Sequence, residues 1–204
     1  MALRLMAHIG LWSLDVAGVV WLLTALWFAA RRKANLQGKV WHFFRTLLPE
    51  PWMLLALAIL LLLLHFVVPA SDWRPVTYRE YVLQMVGAIV IVASAALMVW
   101  ARFSLGDMWA GRPMVQEDHE LRTSGPYRLV RHPIYTGIIG ATLGLMLLAG
   151  FSYMILVVAL VVAWLAWRVH VEDGMMLATF GDRYREYQRR VRAIVPLPRR
   201  VVRT

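Results

Sequence analysis

The chain has 204 residues, of which 60% are hydrophobic, and its 22 lysines and arginines outnumber its 12 acidic residues to give a net charge of +10. A soluble domain is about 45–50% apolar, so the excess, which stands in long runs, predicts a membrane protein with cationic loops rather than a nucleic-acid-binding protein. The absence of cysteine excludes disulfides, thiol nucleophiles and cysteine-ligated zinc or iron–sulfur clusters.

Five apolar stretches approach the roughly 20 residues that a helix needs to cross a bilayer. They are residues 11–30, 52–69, 81–101, 133–149 and 151–167. The first is too long for the apolar part of a signal peptide, and its positive charges follow it, so we expect it to remain in the mature protein as a helix. Only Gly150 separates the last two, which predicts a tight helical hairpin. The predicted fold is an all-α integral membrane protein with five transmembrane helices.

The distribution of lysine and arginine predicts the orientation of these spans. Segments 31–50, 101–132 and 171–204 hold five, five and eight basic residues. The positive-inside rule places all three segments in the cytoplasm, which leaves the N-terminus outside and the C-terminus inside. The same charges favour contact with anionic lipid headgroups. We expect a three-span region over residues 1–101 and a catalytic region over residues 102–204, which contains the cytoplasmic loop and the hairpin 133–170.

The C-terminal tail carries apolar and aromatic residues two to four positions apart, interleaved with arginine and glutamate. They are Met175, Leu177, Phe180, Tyr184, Tyr187 and Val191. This spacing predicts an amphipathic helix on the cytoplasmic membrane face, broken near Phe180 and Gly181 and ended by Pro196 and Pro198.

Polar side chains gather where the fourth stretch begins. Pro133 suits the first position of a helix, so His132 is expected just before a helix N-terminus and Tyr135 in its first turn. Exposed N–H groups at such an end favour a bound carboxylate or other anion, whereas the simpler interpretation is that His132 caps the helix. Three glycines follow at helical spacing, at positions 137, 140 and 144. They predict close approach by a ligand or a neighbouring helix, or packing within the hairpin.

A second polar group follows the fifth stretch. Arg168 and Glu172 are four residues apart and so lie on one helix face, either as a plain ion pair or as functional groups at the cytoplasmic mouth of a span. The sequence has no Gly-rich dinucleotide motif, no P-loop and no zinc-protease motif. His119 and His132 alone are too few for a metal site, and we expect no metal.

Several blocks of the C-terminal half occur in an order typical of one family. They are His119-x-Leu121, Ser124-Gly-Pro-Tyr127, Arg131-His-Pro-x-Tyr-x-Gly137, Glu172-Asp173 and Phe180-Gly-x-x-Tyr-x-x-Tyr187, ending in Val195-Pro196. Residues Leu105 to Pro196 thereby resemble the isoprenylcysteine carboxyl methyltransferase family, in the superfamily that includes phospholipid N-methyltransferases. The resemblance implies an integral membrane enzyme that uses S-adenosylmethionine without a Rossmann domain. It also implies a cytoplasmic cofactor pocket roofed by the C-terminal segment and a lipid substrate that enters from the bilayer.

The resemblance also implies which residues act. The implied catalytic residues are Arg168, which matches a position associated with the substrate carboxylate, and Glu172. Asp173 departs from the glutamate that is usual in the family. The implied cofactor contacts are Gln116, His119, Glu120, Leu121, Arg122, Tyr127, His132, Pro133, Ile134, Tyr135 and Glu172.

The leading hypothesis is an S-adenosylmethionine-dependent methyltransferase that acts on the carboxylate of an isoprenylcysteine-like or other lipid-like substrate. The first alternative is N-methylation of a phosphatidylethanolamine-type phospholipid, in which Glu172, Asp173 or His132 would serve as the base. A non-catalytic membrane protein and a membrane reductase with a nicotinamide cofactor are further alternatives. The expected partners are the bilayer and a lipid or lipid-modified substrate, and not nucleic acid.

Overall fold

The computed structural model describes residues 2–31, 80–106, 121–151 and 153–196. Within these ranges the chain is helical and forms no strand. Its α-helices are α1 (Ala2–Arg31), α2 (Tyr81–Leu105), α3 (Pro133–Ala149), α4 (Met154–Phe180) and α5 (Asp182–Arg190), and a 3₁₀ helix covers Gly125–Arg128. The all-α prediction is confirmed for this part of the chain. The predicted span 52–69 lies outside the described residues.

Two of these helices, α2 and α4, are long and apolar enough to cross a membrane. Only 28% and 22% of their most apolar stretches are buried inside the protein, whereas the core helix of a soluble protein is mostly buried. The central part of α1 and the whole of α3 are shorter apolar helices. Large apolar side chains also face outwards on α1, where Trp12 is 69% exposed. Apolar surface of this extent is typical of a protein that contacts lipid.

Helix α2 packs between α1 and α3, and its contact with α3 depends on glycine. A methyl group on Gly87 of α2 would lie 2.6 Å from the carbonyl oxygen of Gly144 on α3, and one on Gly144 would lie 2.7 Å from the carbonyl oxygen of Gly87. Gly137 and Gly140 of α3 likewise face Ser94 of α2. The predicted close approach is therefore made to α2, and the interpretation that these glycines pack the hairpin against α4 is wrong.

Helix α4 continues past the predicted span end at Trp167 as far as Phe180, and so carries Arg168, Glu172 and the following aspartate beyond its apolar part. Gly181 then adopts a φ of 54°, a left-handed conformation that glycine enters at little cost, and the chain turns into α5. The predicted break near Phe180 and Gly181 lies at this turn.

Helix α5 ends at Arg190, so the prediction that Pro196 and Pro198 end it is wrong. Residues 191–194, which we call the strap, instead run beside the residues that precede α3, with a parallel bridge between Val130 and Arg192. The backbone N–H groups of Arg131 and His132 donate to the carbonyls of Arg192 and Ala193 at 2.8 and 2.9 Å. These tertiary hydrogen bonds replace the ones that a longer helix would make within itself.

Candidate active site

Three helices meet where α3 begins. The start of α3 contributes side chains from the loop and its first turn, the extension of α4 contributes an arginine and two adjacent carboxylates, and α5 contributes a tyrosine. Together they form a polar cluster of Arg131, His132, Tyr135, Arg168, Glu172, Asp173 and Tyr184. Packing of the helices brings these residues together, because Arg131, His132 and Tyr135 are more than 30 positions away from the other four in the sequence.

Glu172 accepts from three groups. Arg168 Nη2 lies 3.2 Å from Glu172 Oε1, which also accepts the hydroxyl hydrogen of Tyr135. His132 Nδ1 lies 3.3 Å from the other oxygen, Oε2. The predicted placement of Arg168 and Glu172 on one helix face is therefore correct, and Tyr135 and His132 join them from α3.

Arg168 is held on several sides although its side chain is only 4% exposed. Its Nε donates to the hydroxyl oxygen of Tyr135 at 2.9 Å. The centre of its guanidinium lies 5.6 Å from the ring of Tyr135 and 5.6 Å from the ring of Trp164, one helical turn earlier on α4. Cation–π attraction from two rings favours the charged guanidinium in this desolvated position. Sequence reasoning missed Trp164, although its i, i−4 spacing from Arg168 was a usable signal.

Asp173 has a different set of partners from its neighbour. Arg131 reaches it with Nη2 at 2.5 Å from Oδ2 and with Nε at 3.4 Å from Oδ1. His132 Nε2 lies 2.9 Å from Oδ1, which also accepts the hydroxyl hydrogen of Tyr184. Asp173 thus makes these contacts although its side chain is shorter than the glutamate that the resemblance leads us to expect at this position.

Sequence reasoning did not assign Arg131 or Tyr184 to the site. Tyr184 follows Asp173 by 11 residues. In one straight helix these residues would lie about 16 Å apart along the axis. The turn at Gly181 folds α5 back and closes that distance, which no local pattern indicates.

His132 bridges the two carboxylates through both ring nitrogens. Each nitrogen faces a carboxylate oxygen, and only the imidazolium form has a hydrogen on both, so we assign His132 as charged. Burial pulls the pKa of His132 down, but hydrogen bonds from the ring to Asp173 and then Glu172 outweigh it and raise the pKa above the ordinary value of 6.5. The ring also stacks on Tyr135, with 5.5 Å between centroids.

The start of α3 leaves two amides for a ligand. His132 occupies the N-cap position, yet its side chain makes no capping hydrogen bond, so the interpretation of His132 as a simple cap is wrong. The N–H groups of Arg131 and His132 are taken by the strap, and Pro133 has none. Among the described residues, no backbone carbonyl accepts from Ile134 or Tyr135.

The remaining expected cofactor contacts lie at the edge of this cluster or beyond the described chain. Tyr127 is buried in the 3₁₀ helix, and its carbonyl accepts the hydroxyl hydrogen of Tyr187 at 2.5 Å. Burial, followed by the nearby hydroxyl of Tyr187, raises the pKa of Tyr127 well above its usual value, so its own hydroxyl stays neutral. Leu121 is partly buried and Arg122 is exposed. Gln116, His119 and Glu120 lie outside the described residues.

The cluster carries more positive than negative charge. Arg131, His132 and Arg168 provide three cations against the two carboxylates of Glu172 and Asp173. One positive charge is therefore in excess within the cluster, which favours a bound anion. In the part of the chain that the structure describes, no group of three or more histidine, aspartate or glutamate side chains is arranged to hold a metal ion.

Comparison with known proteins identifies the same region. Residues 85–178 match the isoprenylcysteine carboxyl methyltransferase family. The chain is therefore similar to that family over this region. The region contains six of the seven residues of the polar cluster, whereas the strap and the whole of α5, with Tyr184, follow it.

Two relatives resemble the chain at the level of sequence. Protein-S-isoprenylcysteine O-methyltransferase of Schizosaccharomyces pombe is 35% identical over 82 residues, which cover 40% of this chain and 35% of the relative. Protein-S-isoprenylcysteine O-methyltransferase B of Arabidopsis thaliana is 33% identical over 82 residues, which cover 40% of this chain and 42% of the relative. The chain thus matches less than half of the length of either methyltransferase.

Proposed function

We propose that this protein is an S-adenosylmethionine-dependent membrane methyltransferase that methylates the carboxylate of an isoprenylcysteine-like or other lipid-like substrate. The observation that carries the proposal is the buried, positively charged cluster around Arg168 within the region that matches the isoprenylcysteine carboxyl methyltransferase family. The names of the two relatives, which are O-methyltransferases of protein S-isoprenylcysteine, agree with it.

The residues present fit the groups of S-adenosylmethionine. The amides of Ile134 and Tyr135, together with the excess positive charge, suit its carboxylate. Glu172 suits its ammonium or a ribose hydroxyl, and the rings of Tyr127 and Tyr135 suit its adenine or its sulfonium. When bound, it supplies a methyl group activated on a positively charged sulfur.

The substrate carboxylate is expected to bind at Arg168. The guanidinium is desolvated, fixed by Tyr135 and Glu172, and placed where the polar extension of α4 leaves its apolar part. A lipid chain on the substrate would then lie against the apolar surface while the carboxylate reaches the cluster. Because a carboxylate is already deprotonated, the enzyme needs to orient it and exclude water rather than remove a proton.

The same geometry favours a carboxylate over an amine as methyl acceptor. An ammonium headgroup would have to lose a proton before attack, whereas a carboxylate would not. His132, one of the candidate bases, is charged on both ring nitrogens and has no lone pair for that proton. Glu172 and Asp173 each accept from at least one arginine as well as from His132.

For the whole chain we propose five membrane spans, including residues 52–69 and a hairpin of α3 and α4, with the N-terminus outside. Residues 1–101 would form the N-terminal membrane region and residues 102–204 the catalytic region, with the polar cluster and the amphipathic tail on the cytoplasmic face. The apolar surfaces of α1, α2 and α4 and the positions of the basic residues support this arrangement.

Incubation of the detergent-purified protein with methyl-labelled S-adenosylmethionine tests the proposal. With N-acetyl-S-farnesylcysteine we expect a labelled ester that alkali hydrolyses, and with phosphatidylethanolamine no label. Glu172→Gln, which removes a buried charge from the site, is expected to lower kcat/KM by about a hundredfold or more. Glu186→Gln is the matched control, because Glu186 makes the same i, i+4 ion pair with an arginine but is 49% exposed.

Three outcomes would contradict the proposal. Alkali-stable label on phosphatidylethanolamine would favour N-methylation. A well-folded protein that binds no S-adenosylhomocysteine in a calorimetric titration would favour a non-catalytic membrane protein. Saturable binding of NADPH in its place would favour a reductase.

A further inference from the structure

The strap is fixed to the start of α3 at both of its ends. At its first residues, Arg131 Nη1 donates to the carbonyl of Val191 at 2.6 Å, beside the backbone hydrogen bond from Arg131 N to Arg192. At its last residue, Thr136 Oγ1 donates to the carbonyl of Ile194 at 2.7 Å. The strap therefore lies along residues 130–136, directly beside the two first-turn amides of α3.

Arg131 connects the strap to α4. One guanidinium nitrogen contacts the carbonyl of Val191 while two others contact the carboxylate of Asp173, and the side chain of Arg131 is only 7% exposed. Tyr184 of α5 donates to the same carboxylate. Asp173 thus holds both the start of the strap, through Arg131, and the helix that leads into the strap, through Tyr184.

The two adjacent carboxylates of α4 have separate partners. Consecutive residues of a helix point about 100° apart, so Glu172 faces Arg168 and Tyr135 while Asp173 faces Arg131 and Tyr184. Among the residues that the structure describes, only His132 contacts both. Glu172 is on the side of the proposed substrate site, and Asp173 is on the side of the strap.

We propose that Arg131 and Asp173 are positioning residues that form a latch, which holds the strap over the start of α3 and so slows the release of S-adenosylmethionine and S-adenosylhomocysteine. The inference rests on the proposed function. It gives Asp173 no contact with the reacting atoms. The latch acts through the strap backbone, and opening it shortens the time that the donor and its product stay bound without changing the affinity for the lipid substrate.

Arg131→Lys tests the latch because lysine keeps the charge but cannot contact the carboxylate and the Val191 carbonyl with one planar fork. We expect the dissociation rate of S-adenosylhomocysteine and the KM for S-adenosylmethionine to rise about tenfold. A positioning role predicts that the KM for S-adenosylmethionine rises by a larger factor than kcat at saturation falls, and by a larger factor than the KM for the farnesylcysteine substrate changes. Asp173→Asn should act in the same direction. Asp173→Glu, which keeps both acceptor oxygens and the charge, should instead retain most of the slow dissociation seen in the wild type.

Hydrogen exchange gives a readout that needs no activity. The amides of Arg131 and His132 donate to the strap, so a peptide covering residues 130–134 should exchange faster in Arg131→Lys, while peptides from within α3 keep the wild-type rate. Thr136→Val loosens the other end of the strap with no change of charge and should increase both exchange and dissociation. Arg185→Lys is the matched control, because Arg185 pairs with Asp182 at 3.0 Å but both side chains are exposed.

Wild-type dissociation and exchange rates in Arg131→Lys and Thr136→Val would overturn the latch. So would an equal loss of kcat and kcat/KM, which would place Arg131 in the chemical step. A wild-type protein that binds no S-adenosylhomocysteine would instead refute the proposed function. The exchange rates would still show in that case whether Arg131 holds the strap.

Discussion

At the scale of single residues, the charge state of His132 determines whether its ring can donate a hydrogen bond to both carboxylates of α4. A neutral ring would place a lone pair against one carboxylate oxygen, so Glu172 and Asp173 together fix the imidazolium. The side chain of His132 is 9% exposed, and its raised pKa means that the contacts with the carboxylates outweigh the loss of hydration. The proton on His132 is therefore a stabilising element of the folded site.

The pH dependence of stability should show this proton. A pKa raised by folding stabilises the protein fully below the unfolded value, about 6.5 for histidine, and the contribution is lost as the pH rises through the raised value. We expect the difference in Tm between wild type and His132→Asn to be largest near about pH 6 and to shrink towards about pH 9. Thermal unfolding in detergent across this range provides the measurement.

The exposed His170 of α4, the helix that carries Glu172 and Asp173, supplies the control. His170→Asn reports the effect of the substitution itself. A difference between wild type and His132→Asn that grows with rising pH would contradict the charged assignment of His132.

At the scale of helices, the position of α3 depends on its contact with α2. Gly87 and Gly144 face each other with their backbones so close that neither position has room for a β-carbon. In a membrane, where apolar burial drives helix association weakly, small residues allow this close packing. Because α3 also begins with the residues of the polar cluster, the glycine contact positions one side of the site.

Gly144→Ala should destabilise the protein. Its β-carbon would meet the carbonyl oxygen of Gly87 at 2.7 Å, and a backbone atom cannot rotate away, so the two helices must separate. We expect a loss of about 1–3 kcal/mol, measured as a lower Tm in detergent. Gly174→Ala on α4 is the control, since a β-carbon there meets nothing within 4 Å and alanine favours the helix. A Tm for Gly144→Ala at or above that of wild type would show that the contact between α2 and α3 yields easily.

At the scale of the whole molecule, apolar and charged surfaces are separated along the helices. The outward faces of α1 and α2 are apolar, while the exposed face of α5 carries Asp182, Arg185, Glu186 and Arg190 in ion pairs of its own. The polar cluster lies at the boundary between these surfaces. That location suits a reaction between a water-soluble methyl donor and a lipid.

Cysteine labelling tests the proposed orientation with little background, because the chain has no cysteine of its own. Glu80→Cys, directly before α2, should react with a membrane-impermeant maleimide in intact cells. Asp182→Cys, at the start of α5, should react only after the membrane is permeabilised. Activity of each variant with S-adenosylmethionine and the farnesylcysteine substrate confirms folding. Labelling of both positions from outside, or the reverse pattern, would contradict the proposed topology.

Local sequence patterns determined the features that depend on neighbouring residues. Hydropathy predicted the apolar helices, Pro133 predicted the start of α3, the four-residue spacing predicted the pairing of Arg168 with Glu172, and Gly181 lies where the tail was expected to break. Helical periodicity and backbone conformation are set within a few residues, which is why a single sequence is sufficient for them.

Only the tertiary structure decided which distant groups meet. The α3 glycines contact α2, and Arg131 pairs with Asp173, which is 42 positions further along the chain. The end of α5 at Arg190 likewise goes with hydrogen bonds between the strap and the distant residues before α3. Such contacts depend on how helices pack and on which backbone groups need a partner once they are buried. The sequence therefore determined the helices of the described chain and the kinds of side chain near the start of α3, and packing determined the two sides of α4 and with them the separate partners of Glu172 and Asp173.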